Sequence, residues 1–184
     1  YQQDYPYESS LTEAGLKHFN EFAVSVKKKF KLTSNDLVID IGSNVGVLLE
    51  AFKKKNIRVL GVDPAKNICR IANSRNIPTL NSFFDTDICN HINKKYGKAK
   101  VITGTNVFAH IDNLSELFRN IKKILHKKDG IFIIEVPHFL NLLKDLEYDT
   151  IYHEHLSYIT IQPLIKFLKK INLKIFRIEK KDIH

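Results

Sequence analysis

"LVIDIGSNVGVLLEAFKKKNIRVLGVD", residues 37–63, is the stretch that decides the fold class of this chain. It begins with an apolar, β-branched run at 37–41, passes through a glycine-bearing turn at 42–46, and ends with a second apolar run at 57–62. Between the two runs, apolar residues recur at the spacing of an amphipathic helix. A strand, a turn, a helix and a second strand form a βαβ unit, so we predict two parallel strands in one sheet.

The same alternation of strands and helices continues through the rest of the chain. We predict a doubly wound α/β fold in three layers, with a mostly parallel sheet that is truncated at its last strand. Residues 1–184 read as a single domain, in which 1–36 forms a leading helix and a cover on the substrate side. Helices are expected near 16–30, 68–72, 85–96, 114–125 and 163–170, and further strands at 77–83, 100–104, 131–136 and 173–179.

The composition argues against several classes of protein. Cys69 and Cys89 are the only cysteines and lack metal-binding spacing, which argues against a disulfide framework and a structural zinc. No apolar run reaches the ~18 residues that suggest a membrane span. The net charge of +9 comes mostly from lysine runs at predicted helix ends, where cations complement the helix dipole. We expect a cytoplasmic monomer that binds a small molecule rather than a membrane or nucleic acid.

The glycine turn indicates a nucleoside ligand. In open parallel sheets the first βα turn, at the carboxyl ends of the strands, is the usual nucleotide site. Gly42 permits a tight turn and Gly46 permits close packing, but Asn44 replaces the middle glycine that a pyrophosphate needs. Asp63, 21 residues after Gly42, ends the second strand at the distance where an acid binds both hydroxyls of a ribose. Without Asp63, the turn would fit ordinary βα turn chemistry equally well.

Four stretches together resemble one family of enzymes: residues 37–68, 103–114 (TGTNVFAHIDNL), 131–143 (IFIIEVPHFLNLL) and 147–160 (EYDTIYHEHLSYIT). They are similar to the class I S-adenosylmethionine-dependent sugar C-methyltransferases, which methylate C-3 of nucleotide-linked 4-keto deoxysugars. The similarity covers nearly the whole chain, and its Glu-Val-Pro and Tyr-His-Glu-His motifs are more specific than the glycine turn. The resemblance implies a Rossmann-like core, S-adenosylmethionine as cofactor and a nucleotide-sugar substrate.

Members of this family typically carry a small cysteine-rich zinc domain before this region and a further domain after it. The chain ends at Asp182-Ile183-His184, where family members commonly continue into the last strand of the sheet. We therefore expect the central cofactor-binding domain without these flanking domains. Zinc would belong to the amino-terminal domain, and we expect no metal in this chain.

The resemblance assigns further residues to the cofactor. Asp40 is expected near the amino end of the methionine portion, and Asn106, just after the fourth strand, is expected to hold the same amino acid. Phe84, which follows Phe83 after the third strand, is expected to flank the adenine. Each assignment has a structural alternative, which is a buried acid satisfied by loop amides, a turn cap and a core ring respectively.

The segment 152–155, Tyr-His-Glu-His, is the candidate catalytic site. Methylation of a carbon beside a ketone needs a base near neutrality and hydrogen-bond donors for the developing oxyanion. Histidine, with an unperturbed pKa of about 6.5, suits the role of the base, and a neighbouring glutamate can orient it. The family pattern makes His155 the base, with Glu154 and Tyr152 lining the sugar site.

The same family pattern places four more residues on the substrate side. The stretch 4–10 (DYPYESS) resembles an aromatic amino-terminal segment of the family, which makes Tyr7 a catalytic hydroxyl and Tyr5 a substrate contact. Glu135 and His138 lie near the carboxyl end of the fifth strand and are expected to face the same cleft. Their structural alternative is a role in ending that strand.

Other interpretations stay open at this point. A metal site at 153–155 is disfavoured because the two histidines lack HExxH spacing and no third ligand is nearby in sequence. The polar end of a core strand is the structural alternative, and His153 has no assigned role. The rival functions are another small-molecule or RNA methyltransferase and a noncatalytic nucleotide- or RNA-binding module. A dehydrogenase is disfavoured by the missing middle glycine.

Overall fold

The computed structural model describes residues 12–181 as an α/β fold around one parallel sheet. The strands are β1 (Leu37–Ile41), β2 (Arg58–Asp63), β3 (Thr79–Asn81), β4 (Val101–Thr105) and β5 (Ile131–Glu135). The α-helices are α1 (Glu13–Phe30), α2 (Val47–Lys53), α3 (Lys66–Ser74), α4 (Thr86–Lys95), α5 (Leu114–Ile124), α6 (Phe139–Lys144) and α7 (Ile161–Lys170). The sheet has the order β3-β2-β1-β4-β5, which confirms the predicted fold class.

The strand order determines where a ligand is expected. Strands β1 and β4 are neighbours in the sheet but not in sequence, so the order of the strands reverses between them. Open α/β sheets bind ligands at such a switch point, outside the carboxyl ends of the strands. Asp40 pairs in register with Gly61 of β2 and Thr103 of β4. The acid of the first strand therefore lies at the centre of the sheet, next to the switch point.

Two apolar layers enclose the sheet. All five residues of β1 are buried, because helices cover both faces of the sheet, and this explains why four of the five are apolar. Alternate residues of β1 join different layers, as the period of two in a strand requires. Val38 packs in the layer that contains Phe52 of α2, and Ile39 packs in the layer that contains Phe118 of α5.

Side-chain caps determine where three helices begin. Thr12 accepts the N–H of Gly15 at the start of α1, and Asp85 accepts the N–H of Ile88 at the start of α4. Asn113 caps α5 in the same way. Each cap satisfies a backbone donor that a helix leaves unpaired in its first turn. No helix within residues 12–181 is both long and apolar enough to cross a membrane.

The predicted strand at 173–179 does not form in the described part of the chain. Its alternation is present, since Leu173 and Ile175 pack against the core while Phe176 and Ile178 are more than half exposed. No ladder hydrogen bonds accompany that pattern, and β5 pairs only with β4 among the described strands. Alternating hydrophobicity marks a half-buried segment, but a strand also needs a neighbour to pair with.

Candidate active site

Only glycine fits comfortably at the two ends of the turn after β1. Gly42 has φ +66° and Gly46 has φ +82°, values in the left-handed region that side chains disfavour. A Cβ atom on Gly42 would lie 2.7 Å from Cγ2 of Val107, and one on Gly46 would lie 2.7 Å from Cγ2 of Ile77. Asn44, between the glycines, also has a positive φ of 48°. The turn is therefore packed tightly between the residues after β4 and those before β3.

Asp63 ends β2 and connects the glycine turn to the start of α3. One carboxylate oxygen accepts the N–H of Asn44 at 3.0 Å, and the other accepts the N–H of Ala65 at 2.9 Å. Burial raises the pKa of Asp63 above its ordinary value, although the hydrogen bonds from Ala65 and Asn44 lower it. The acid expected to bind a ribose thus also fixes the shape of the turn, a second role that the sequence does not reveal.

Asp40 is a buried acid beside the switch point. It is 3% exposed, and its Oδ1 accepts a hydrogen bond from Oγ1 of Thr103 at 2.6 Å. Burial, opposed by the Thr103 hydrogen bond and reinforced by the carboxylates of Asp63 and Glu135, raises the pKa of Asp40 to about 7. Its hydrogen-bond partner is a hydroxyl on the neighbouring strand, not the loop amides considered from sequence. A cation bound nearby would favour the ionised carboxylate.

Glu135, the last residue of β5, is paired with a histidine of α1. Nε2 of His18 lies 3.0 Å and 3.2 Å from the two carboxylate oxygens of Glu135. The backbone carbonyl of Glu135 accepts the N–H of Asn106 at 2.8 Å, which joins the loop after β4 to β5. No sequence pattern indicates His18, because 117 residues separate it from Glu135. His138 lies farther along, where its carbonyl accepts the N–H of Asn141 in α6.

Residues 152–155 form a turn, not the end of a strand. The N–H of His155 donates to the carbonyl of Tyr152 at 3.0 Å, and the centroids of the two rings are 4.2 Å apart. Nδ1 of His155 lies 2.7 Å from the carbonyl oxygen of Thr150. Because a carbonyl oxygen only accepts, Nδ1 carries the hydrogen, and the lone pair of the neutral imidazole is on Nε2.

His110, in a single-turn 3₁₀ helix after β4, is a site residue that was not predicted from the sequence. The centroid of its ring lies 4.9 Å from that of His155, and its Nδ1 lies 3.0 Å from the carbonyl oxygen of Glu154. Burial lowers the pKa of His110, the bond to Glu154 raises it, and the proximity of His155 lowers it again. A histidine four residues after Asn106, at the carboxyl end of a strand, is a signal that could have found it.

The remaining predicted residues have different surroundings. Phe84 is 8% exposed and packs in the core, whereas Phe83 is 54% exposed. His153 is exposed on the turn. Tyr5 and Tyr7 lie outside the described residues. Within residues 12–181, no three His, Cys, Asp or Glu side chains are grouped as a metal site would require.

The structure thus gathers two sets of residues at the carboxyl edge of the sheet. The first set is acidic and turn-forming, which suits a nucleoside that carries positive charge. It contains Asp40, Gly42, Asn44, Gly46, Asp63, Asn106 and Glu135. The second set, His110, Tyr152, Glu154 and His155, contains imidazoles and a phenol and is suited to moving a proton.

The comparison with protein families gives a match over most of the chain. The pattern of the methyltransferase domain family matches residues 16–178. The C-methyltransferase NovU of Streptomyces niveus is 33% identical over 180 residues, which cover 98% of this chain and 43% of that protein. The chain therefore spans less than half the length of this relative.

Solved structures with the same fold include two methyltransferases. The plantazolicin methyltransferase BpumL, in complex with a pentazolic desmethylPZN analog and SAH, has a TM-score of 0.66 and 17% identity, covering 88% of this chain and 65% of its own. A SAM-dependent methyltransferase from Archaeoglobus fulgidus has a TM-score of 0.63 and 17% identity, covering 83% of this chain and 68% of its own. At this level of identity, these similarities establish the fold.

Proposed function

The chain belongs to the methyltransferase domain family, and on that premise we propose that it methylates a carbon atom of a nucleotide-linked keto deoxysugar. The proposed cofactor is S-adenosylmethionine, which supplies an electrophilic methyl group when bound. The observation that carries the proposal is the hydrogen bond from Nδ1 of His155 to the carbonyl of Thr150. It places the lone pair of the neutral imidazole on Nε2, the form that a general base needs.

The acidic edge is proposed to hold the cofactor. Asp63, at the end of β2, would accept hydrogen bonds from the hydroxyls of the ribose. The backbone of the turn from Gly42 to Gly46 would approach the nucleoside. Asp40, beside the switch point, would stabilise the ammonium group of the methionine portion. Asn106 would contact the same amino acid from the loop after β4. Asn44 fits a cofactor without a pyrophosphate, because its side chain occupies the place of the middle glycine.

The histidine pair is proposed to make the sugar carbon nucleophilic. His155 would remove the proton from the carbon beside the ketone through Nε2, and the electrons would move onto the ketone oxygen. Tyr152, whose pKa is raised by burial and by the nearby Glu154 and Tyr158, stays protonated near neutrality and can donate to that oxygen. His110 lies against the base, and burial lowers its pKa, which favours the neutral form and limits repulsion when His155 takes up the proton.

Carbon, not oxygen or nitrogen, is proposed as the acceptor atom for two reasons. A carbon beside a ketone has no lone pair of its own and becomes nucleophilic only after it loses a proton, which a base such as His155 can remove. The relative NovU is by its name a C-methyltransferase. The sugar itself, with Glu135 and His138 as contacts, follows from the resemblance of the Glu-Val-Pro and Tyr-His-Glu-His motifs.

Two measurements test this function in order. Calorimetric titration should show saturable binding of S-adenosylmethionine and S-adenosylhomocysteine, and no binding of NADH or single-stranded RNA. Mass spectrometry after incubation with the cofactor and a panel of nucleotide-linked 4-keto deoxysugars should then show one added methyl group, on carbon. Saturable NADH binding without a response to the methionine nucleosides would overturn the cofactor assignment. A methyl group found only on oxygen would overturn the carbon assignment.

A further inference from the structure

His18 joins the first helix to the last described strand. It lies in the second turn of α1, and its Nε2 contacts both carboxylate oxygens of Glu135. The side chains are 16% and 17% exposed, so the contact is largely shielded from water. The imidazole also packs near the rings of Phe19 and Phe22, with centroids 5.3 Å and 6.3 Å away. These contacts restrain the histidine, so little side-chain entropy is lost when it holds the carboxylate.

Glu135 lies on the same face of the sheet as Asp40. In β5, Ile131 and Ile133 pack in the apolar layer formed with α1 and α2, and by strand alternation Glu135 projects toward that layer as well. In β1, Val38 packs in the same layer, so Asp40 projects toward it too. Helix α1 covers this face, because its Ala23 and Val26 belong to the layer. The pair therefore lies where α1 meets the carboxyl edge of the sheet.

Three carboxyl groups are concentrated at this edge. Asp40, Asp63 and Glu135 end or nearly end three of the five strands, and the charges of Asp63 and Glu135 act on Asp40. Glu135 is one strand away from the switch point between β1 and β4, where ligands bind in this class of sheet. A carboxylate in this place interacts differently with a positively charged sulfur and with a neutral one.

We infer that His18 is a positioning residue, which holds the Glu135 carboxylate where it favours the positively charged cofactor over its uncharged-sulfur product. The inference rests on the proposed function, because it assumes S-adenosylmethionine as the ligand at this edge. It adds a role for His18 and a charge-selecting role for Glu135, beside the sugar contact that the resemblance implies. An enzyme that discriminates in this way releases its product more readily than it releases its cofactor.

The alternative is that the pair only fastens α1 to the sheet. In that case, loss of His18 would lower the affinities for the cofactor and for the product by the same factor, because the same cleft would loosen for both. The ratio of the two dissociation constants separates the two roles, since a purely structural contact leaves this ratio unchanged. Sinefungin, in which a cationic amine replaces the methylsulfonium group, provides a second charged probe that cannot transfer a methyl group.

The experiment measures dissociation constants for S-adenosylmethionine, sinefungin and S-adenosylhomocysteine by calorimetry. The variants are His18→Ala, His18→Gln, Glu135→Gln and the double variant His18→Ala with Glu135→Gln. His91→Ala, a histidine on the exposed face of α4, is the matched control. His18→Gln retains an N–H donor, so it keeps the test valid if His18→Ala fails to fold.

We expect His18→Ala to lower the affinity for both charged probes roughly threefold to fivefold relative to the affinity for S-adenosylhomocysteine. This factor is the order of the free energy that one partly exposed charge pair contributes. Glu135→Gln should do the same, the double variant should add nothing, and His18→Gln should recover part of the preference. An equal loss of affinity for all three ligands would overturn the inference and leave the pair as a fastening for α1. If the unmodified protein binds none of the three, the proposed cofactor fails first and the inference fails with it.

Discussion

The ends of β1 and β2 and the loop at 150–158 both lie at the carboxyl edge of the sheet, but different interactions hold them. At the strand ends, Asp40 is 3% exposed and Asp63 is 7% exposed. Their carboxylates accept hydrogen bonds from a strand hydroxyl and two backbone amides. In the loop, Tyr152 is 42% exposed, and the ring of His155 is held by the carbonyl of Thr150 and by contacts with other rings. The loop is anchored by the N–H of Leu156, which donates to a carbonyl of the 3₁₀ helix at 2.7 Å.

The difference indicates that the strand ends and the loop have separate functions. The strand ends are preorganised by the core, so their geometry is expected to be the same with and without a ligand. The loop is more exposed than the strand ends and displays imidazole and phenol groups, which suits a surface that contacts a substrate and moves a proton. Cofactor binding and proton removal should therefore respond to different substitutions.

The largest expected effect is on turnover, from the loop alone. His155→Ala should lower methyl transfer by roughly 10²- to 10⁴-fold, the usual contribution of a general base. The dissociation constant of S-adenosylhomocysteine should change by less than about twofold, because the strand ends stay intact. His153→Ala, two residues away on the same turn but exposed, is the control and should keep most of the activity. Turnover of His155→Ala near that of the control would mean that another group takes the proton.

The second effect is on the pH dependence of stability, and it arises from Asp40 at the strand ends. The pKa of Asp40 is raised from 3.8 to about 7 in the folded protein, so folding favours its neutral form. This contribution to the free energy of unfolding is fully present below pH 3.8 and is lost as the pH rises to about 7. The loss amounts to about 4 kcal/mol by linkage.

Urea unfolding of the unmodified protein and of Asp40→Asn at pH 5 and pH 8 measures this contribution. The free energy of unfolding of the asparagine variant minus that of the unmodified protein should be larger at pH 8 than at pH 5. Asp112→Asn, in the exposed loop before α5, serves as the matched control. A difference that does not change with pH would show that Asp40 ionises in the folded protein as easily as in the unfolded chain.

A third, smaller effect separates the two roles of Asp63. Asp63→Ala should make the free energy of binding of S-adenosylhomocysteine less favourable by roughly 1–3 kcal/mol, the cost of leaving hydrogen-bonding groups without partners. Asp63→Asn keeps one acceptor oxygen and should weaken the binding of this ligand less. Turnover at saturating cofactor should change little in either variant. An unchanged affinity in Asp63→Ala, measured calorimetrically on folded protein, would place the ribose elsewhere.

The smallest expected effect tests how tightly the glycine turn is packed. Gly46 and Gly97 both have φ above +80°, so alanine costs backbone strain at each position. A Cβ on Gly46 would meet Ile77 at 2.7 Å, whereas one on Gly97 would meet nothing within 4 Å. Gly46→Ala should therefore lower the free energy of unfolding by about 1–2 kcal/mol more than Gly97→Ala. Equal losses in thermal unfolding would indicate that the turn relaxes around the added methyl group.

The difference between the strand ends and the loop also explains what the sequence could predict. Strand β1 was predicted with the observed bounds at 37–41, because burial on both faces leaves a short, mainly apolar and β-branched run directly before the glycine turn. The glycine turn and Asp63 follow from spacing within one βαβ unit. The segment at 173–179 has the right alternation, but hydrogen-bond pairing depends on a neighbour that no local pattern encodes.

The partners of site residues were harder to predict. His110 contacts His155 from 45 residues away in sequence, and His18 contacts Glu135 from 117 residues away. Such contacts depend on how loops and helices pack over the sheet, and they leave no periodic trace in the sequence. The hydrogen bond that sets the tautomer of His155 is accepted by a backbone carbonyl, which every residue possesses, so no residue type reveals it.

Hydrogen–deuterium exchange at the sugar carbon tests the central claim most directly. The protein is incubated in deuterium oxide with S-adenosylhomocysteine, which has no methyl group to transfer, and a nucleotide-linked 4-keto deoxysugar. The unmodified protein should exchange the proton on the carbon beside the ketone well above the rate without enzyme. His155→Ala should show only that background rate while binding S-adenosylhomocysteine normally. Equal exchange in the two proteins would contradict the assignment of His155 as the base.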